Sequence, residues 1–285
     1  METGDVILKI QENMSGFSKR QKLIAEYILD NFDKAAYMTA AALGAEIGAS
    51  ESTVVRFASE LGFDGYQRFQ RSLREFTIKK STVMQRMEIA SRQMGEDNVL
   101  ENVLKADVAN ILKTAEEIDK AQFEGAVEAI LGANKIYIMG VRSASALSAF
   151  AGFYFNLIFK NTHVIRSNSA ADIFEQLLHV EKGDVVIGMS FPRYSRNTKK
   201  ALEYASKEGA TVIGITDNIN SPVVACSDYY LIARSSMESF ADSLVAPMSV
   251  VNALIAALSM KKKDEVKGSF EKLENIWDEY EVYNK

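Results

Sequence analysis

The 285-residue sequence predicts an all-α N-terminal domain followed by an α/β C-terminal domain built on a doubly wound parallel sheet. Two observations carry this. The first hundred residues place apolar side chains at helical spacing and offer no convincing strand. From residue 135 onward, short runs that are apolar on both faces (135–141, 162–166, 184–191, 210–217 and 228–233) alternate with helical stretches. Strands buried on both sides and separated by helices belong to a parallel sheet sandwiched between helices.

Composition narrows the class. Apolar residues make up 47% and charged residues 25%, ordinary for a globular protein. No stretch approaches the roughly 18 uninterrupted apolar residues of a membrane span, so no membrane partner is expected. The N-terminus carries acids and lacks a basic segment followed by an apolar run, so a secretory signal is not expected either. One cysteine, Cys226, and two histidines leave little for a disulfide or a soft-metal site. A cytoplasmic protein without metal or cofactor is the expectation. The net charge of −5 divides unevenly: residues 1–90 carry 12 Lys/Arg and 12 Asp/Glu, and within 56–80 six bases face three acids. Screening confines attraction to about 10 Å, so this local excess matters more than the total.

Along the chain, Ser18 is placed to cap a helix over 18–32 with Leu23, Ile24, Tyr27 and Ile28 on one face. Thr39 caps a short helix over 40–47. The tripeptide 48–50 interrupts, and a second short helix over 51–62 stops at Gly62. A longer helix runs from 64 to about 87, 91–98 reads as a linker, and helices follow over 99–116 and 120–132. The expected domains are residues 1–90, a linker with connecting helix over 91–119, and 120–285. The stretch 243–260 is apolar all round, which suits either core burial or a subunit interface.

The helices over 40–47 and 51–62 have the makings of a helix-turn-helix. Leu43, Ile47, Val54 and Phe57 supply inner faces, Gly44 permits close approach, and Gly48 can take the positive φ of the turn. Ser50 would cap the second helix, whose outward face then presents Glu51, Ser52, Thr53 and Arg56 to phosphates and base edges. On spacing alone an ordinary helical hairpin fits as well. The segment "LGAEIGASESTVVRFASELGFDGYQRFQ", however, resembles the helix-turn-helix of the RpiR family of bacterial regulators. Ser52, Thr53, Val54, Arg56, Gly62, Phe63, Gly65 and Tyr66 match its signature in order. The resemblance implies double-stranded DNA as partner, with Ser52, Thr53 and Arg56 toward the major groove and Ser50 as a cap with a backbone-phosphate role.

In the second half, ligands of a doubly wound sheet collect at the carboxyl ends of strands, where helix N-termini aim N–H groups into a crevice. Three such ends are rich in hydroxyls. The first holds Gly140, Arg142, Ser143 and Ser145. The second, "SFPRYSRNT", holds Ser190, Arg193, Ser195, Arg196 and Thr198. The third holds Thr216, Asp217 and Ser221. Serines at such junctions often serve only as caps; three on one sheet edge suit an anion. Residues 120–260 resemble a SIS (sugar-isomerase) domain, through Gly140 and Ser143, "GDVVIGMS", "ALEYASKEGATVIGITD" and Ser221-Pro222. That resemblance implies a phosphorylated sugar held by Ser143, Ser145, Ser190, Ser195 and Thr198. Many SIS domains carry serine-x-serine-glycine-x-threonine where this chain has "SFPRYSRNT", which loosens the correspondence at Ser195 and Thr198. The bulkier, more cationic loop predicts a more acidic ligand.

Isomerisation needs a general base. His163, His179 and Glu175 occupy poor positions, and Glu238 is better suited to bind a ligand hydroxyl. No triad, phosphate loop or metal cluster is present. The sequence therefore predicts no enzyme but a transcription regulator. It would bind a palindromic operator as a dimer or tetramer under control of a phosphorylated sugar or sugar derivative. A phosphosugar isomerase with a helical appendage, and a sugar-binding protein whose helical half contacts protein, are the alternatives.

Overall fold

The computed structural model describes residues 6–80, 98–236 and 241–283. The chain divides into two compact units, Met1–Glu88 and Ile89–Lys285.

The first unit contains α1 (Val6–Asn13), α2 (Lys19–Asp30), α3 (Phe32–Ala35), α4 (Ala40–Ile47), α5 (Glu51–Glu60) and α6 (Tyr66–Lys80). Ser18 opens α2 with a capping box: its hydroxyl accepts from the Gln21 amide, and Gln21 Oε1 accepts from the Ser18 amide. This reciprocal pair satisfies two N–H groups that a helix start leaves free. The buried face of α2 is Gln21, Ile24, Ala25 and Ile28. Leu23, expected on that face, is 48% exposed, because the inward stripe is centred one residue further along the helix. Phe57 fills the middle of the core, 5.0 Å from the Phe17 ring and edge-on to Phe69 at 5.9 Å. The helix expected to continue from Lys80 to about 87, and the linker at 91–97, lie outside the described residues.

The second unit opens with α7 (Val99–Glu117) and α8 (Lys120–Leu131), then alternates β1 (Ile136–Gly140), α9 (Ala144–Ile158), β2 (Thr162–Ile165), α10 (Ala170–Gln176), β3 (Val185–Met189), α11 (Arg196–Lys207), β4 (Thr211–Thr216) and β5 (Tyr229–Ile232). Helices α12 (Val245–Lys261) and α13 (Lys263–Glu279) end it. The five strands are parallel, in the order β2-β1-β3-β4-β5. Alternate side chains of each strand enter different layers. Ile136, Ile138, Val185, Ile187 and Ile213 meet α8, α9 and α12 on one face, while Tyr137, Met139, Val186 and Val212 meet α10 and α11 on the other. Hence β1 and β3 are buried throughout and β4 nearly so, as the sequence predicts, whereas the edge strands β2 and β5 are only partly buried.

Two helices depart from expectation. Helix α12 buries Val250, Val251, Leu254 and Leu258, yet Met260 is 79% exposed, so its apolar character is not all spent in the core. Helix α7 packs on α12 as part of the second unit, and its amphipathicity is reversed. Leu100, Leu104, Val108 and Leu112 face solvent, Leu100 at 75% exposure, while Thr114 is buried and Asp107 and Asn110 are half-buried. Among the described residues no helix is long and apolar enough to cross a membrane.

Candidate functional site

Strands β1 and β3 are neighbours, and the chain leaves β1 toward β2 on one side and β3 toward β4 on the other, so a crevice opens between their carboxyl ends. The turn after β1 and the loop from Ser190 to Ser195 border a cavity of about 330 Å³ there. Its wall is cationic: Arg142, Arg193 and Arg196 line it, with Asp242 as the one acid among the described lining residues. Arg142 (φ 57°) and Arg193 (φ 63°) both adopt the left-handed conformation. Each such residue costs about 1–2 kcal/mol, and strain of this kind persists where surrounding contacts over-determine it.

Those contacts are explicit. The Asn168 side-chain oxygen accepts from the Arg142 amide at 2.9 Å, and its backbone carbonyl accepts from the Asn197 side chain at 3.0 Å. One residue after β2 thus ties the β1 turn to the first turn of α11. Ser190 Oγ accepts from the Ser195 amide at 3.1 Å, closing the loop on itself, and Ser195 Oγ caps α11 by accepting from the Thr198 amide. Tyr194 donates to Asp217 Oδ1 at 2.9 Å. Helix α9 begins at Ser143, whose hydroxyl makes no cap bond and borders the cavity. Two helix N-termini, serine hydroxyls and three guanidiniums around the cavity are groups whose chemistry suits an anion with hydroxyls attached.

The expected residues divide into three groups. Arg142, Ser143, Ser190, Arg193 and Ser195 line the cavity. Gly140, Ser145 and Thr198 do not. A β-carbon on Gly140 would meet the Ala144 carbonyl oxygen at 2.5 Å, so this glycine lets α9 start close to the strand. Ser145 turns its hydroxyl back to the Arg142 carbonyl at 2.5 Å. Thr198 is fully buried behind the loop, and its hydroxyl has no partner among the described residues. Glu238 lies outside the described residues. The third hydroxyl-rich junction is an internal brace: Thr216 donates to the Ser190 carbonyl at 2.7 Å and meets Ser221 at 2.8 Å, both buried.

In the first unit, Gly48 (φ 69°) ends α4 and Ser50 starts α5, its hydroxyl accepting from the Thr53 amide at 3.3 Å. Ser52 and Arg56 are exposed. Thr53, expected on the outward face, is only 9% exposed, and its hydroxyl meets Ser50 Oγ at 2.8 Å. Thr53 shares the buried face of α5 with Val54, Phe57 and Ala58. Beside α5, the first turn of α2 contributes Lys19 and Arg20, which share a cleft of about 440 Å³ with Arg56 and Thr53. Gln21 donates to Glu60 at 2.6 Å and fixes α2 against α5.

Residues 4–79 match the helix-turn-helix domain of the rpiR family, and residues 129–257 match the SIS domain. The chain joins an rpiR-family helix-turn-helix domain to a SIS domain. An uncharacterized HTH-type transcriptional regulator of Haemophilus influenzae is 25% identical over 281 residues, covering 96% of this chain and 97% of its own. The sugar isomerase domain of an RpiR transcription factor from Sphaerobacter thermophilus is 26% identical with a TM-score of 0.59, over 61% of this chain and 97% of its own. The NanR protein of Vibrio vulnificus, solved with ManNAc-6P, has a TM-score of 0.60 at 22% identity, over 96% of this chain and 98% of its own.

Sequence reasoning overlooked Asn168, Asn197 and Asp242 around the SIS cavity, and Lys19 and Arg20 beside the helix-turn-helix. For Asn168 a signal existed. It follows β2 on the same carboxyl edge as the hydroxyl-rich junctions, and asparagine at such an end readily bonds neighbouring backbone.

Proposed function

We propose that this protein is a transcription regulator, not an enzyme, and that a phosphorylated sugar or sugar derivative controls its affinity for DNA. The observation that carries this is the presence, in one chain, of a helix-turn-helix with an exposed Arg56 and a SIS cavity lined by three arginines. Ser52 and Arg56 would read base edges, Ser50 and the first turn of α2 would hold phosphates, and Thr53 would orient Ser50 and Ser52. A single α5 reads too few base pairs for adequate specificity, so the operator is a palindrome bound by a dimer in the cytoplasm. In the SIS domain, Arg142, Ser143, Arg193 and Ser195 suit the phosphate, while Asp242 suits sugar hydroxyls. Control requires the ligand to bind the DNA-competent and incompetent states with different affinity.

The test is a selection of duplexes from a random pool at near-physiological salt, repeated with hexose and pentose phosphates. Enrichment of a two-fold-symmetric site whose affinity shifts with one sugar phosphate is the expected result. Replacing Arg56 with Ala should then weaken the selected site by about 1–3 kcal/mol and leave non-specific binding nearly unchanged. Weak, sequence-blind binding that collapses with salt, or turnover of a sugar phosphate, would overturn the reading.

A further inference from the structure

Helix α7 turns its polar face inward, and that face meets the connection between β5 and α12. Ser243 donates to Asp107 at 2.5 Å, Asn110 donates to Ser236 at 2.5 Å, and the Arg234 amide donates to Thr114 at 2.8 Å. The Arg234 guanidinium is paired with Glu117. Positions 107, 110, 114 and 117 form one helical stripe, and all four meet this connection.

The same connection borders the SIS cavity. Asp242, next to Ser243, lines it. A second route starts from Tyr194, also in the lining, which donates to Asp217, whose backbone carbonyl accepts from Arg234 at 3.5 Å. Two routes therefore run from cavity residues to α7, the first through the peptide bond from Asp242 to Ser243 and the second through hydrogen bonds alone. Helix α7 is also the first described helix after segment 81–97, which joins it to the helix-turn-helix unit.

We propose that this polar seam, Asp107, Asn110, Thr114 and Glu117 against Arg234, Ser236 and Ser243, passes ligand occupancy from the SIS cavity to α7 and so to the helix-turn-helix unit. The inference rests on the regulator reading above. Its physical basis is the kind of contact used. Asn110–Ser236 and Arg234–Thr114 are neutral hydrogen bonds, Ser243–Asp107 and Arg234–Glu117 engage charged groups, and each polar partner can be exchanged for water at small net cost. A polar seam can therefore change partners when a ligand engages Asp242 or Tyr194. An apolar one would resist such a shift, because close-packed interiors are costly to rearrange.

Two variants of the full-length protein test it. The double substitution Arg234→Met with Ser243→Ala breaks both routes outside the cavity. Asn110→Cys with Ser236→Cys allows the seam to be locked by oxidation and released by dithiothreitol. Affinity for the selected duplex is titrated with and without hexose 6-phosphates and pentose 5-phosphates at millimolar concentration. Calorimetry measures sugar-phosphate binding separately. Allosteric coupling typically changes affinity 5–150-fold. The expected result is that this shift falls to about two-fold or less in the broken seam, and in the locked seam until reductant is added, while sugar-phosphate affinity stays within about three-fold of the parent. A full shift in the broken seam and in the oxidised lock overturns the seam and leaves the regulator reading standing. No shift with any sugar phosphate in the parent overturns both.

Discussion

Gly44 has no room for a β-carbon: one placed there would meet the Ala49 carbonyl oxygen at 2.7 Å. The partner is backbone, which cannot rotate away. Gly44→Ala should therefore destabilise the first unit by about 1–3 kcal/mol, measured as a lower urea midpoint with unchanged slope. Gly44 and Gly48 were both legible in the sequence, because the demand they meet is local to a tight crossing and a left-handed turn. Thr53 was not. It sits at the border of the two faces of α5, and the structure places it with Val54, Phe57 and Ala58 inside, its hydroxyl meeting Ser50. Thr198 and Ser145 failed for a similar reason: each lies within three residues of a cavity-lining side chain, but local bonding or burial turns it elsewhere.

Helix α6 illustrates how one element holds others. Tyr66 donates to the Met38 carbonyl at 2.9 Å, Gln70 donates to the same oxygen at 2.6 Å, and Arg74 donates to the Ala36 carbonyl at 2.8 Å. All three fix the turn before α4. Burial pushes the Tyr66 hydroxyl up to about 12, with Arg74 acting in the opposite direction. Folding thus favours the protonated phenol. The stability it contributes is complete below the unfolded value near 10 and declines as pH rises from there toward 12. Tyr66→Phe should flatten that decline in alkaline denaturation scans; an unchanged slope would show that other groups govern it. Strands were the most legible elements. Each observed strand falls within its expected run; in the central strands β1, β3 and β4 burial on both faces writes a continuous apolar signal. Helix faces were less so, as Leu23 on α2 demonstrates, since a helix with small or polar residues inside tolerates more than one rotation.

At the scale of the molecule, the outward stripe of α7 stays exposed among the described residues of its own unit. Leu100, Leu104, Val108 and Leu112 recur every four residues, and in the dimer proposed above such a stripe would suit an isologous interface with its own two-fold copy. Leu104→Glu with Leu112→Glu should convert the dimer to monomer in sedimentation velocity and weaken binding to a palindrome far more than to a half-site. A dimer that survives both charges would place the interface elsewhere. None of this was legible in the sequence, where the apolar stripe of an amphipathic helix reads as its buried side. The order of synthesis adds a further consequence. The residues that seat α7 are 117 to 136 positions downstream of it. During translation the polar side of α7 must wait without these partners until β5 and the residues beyond it have left the ribosome. It is made early and settled late, because its contacts are distant in sequence and distant contacts form slowly.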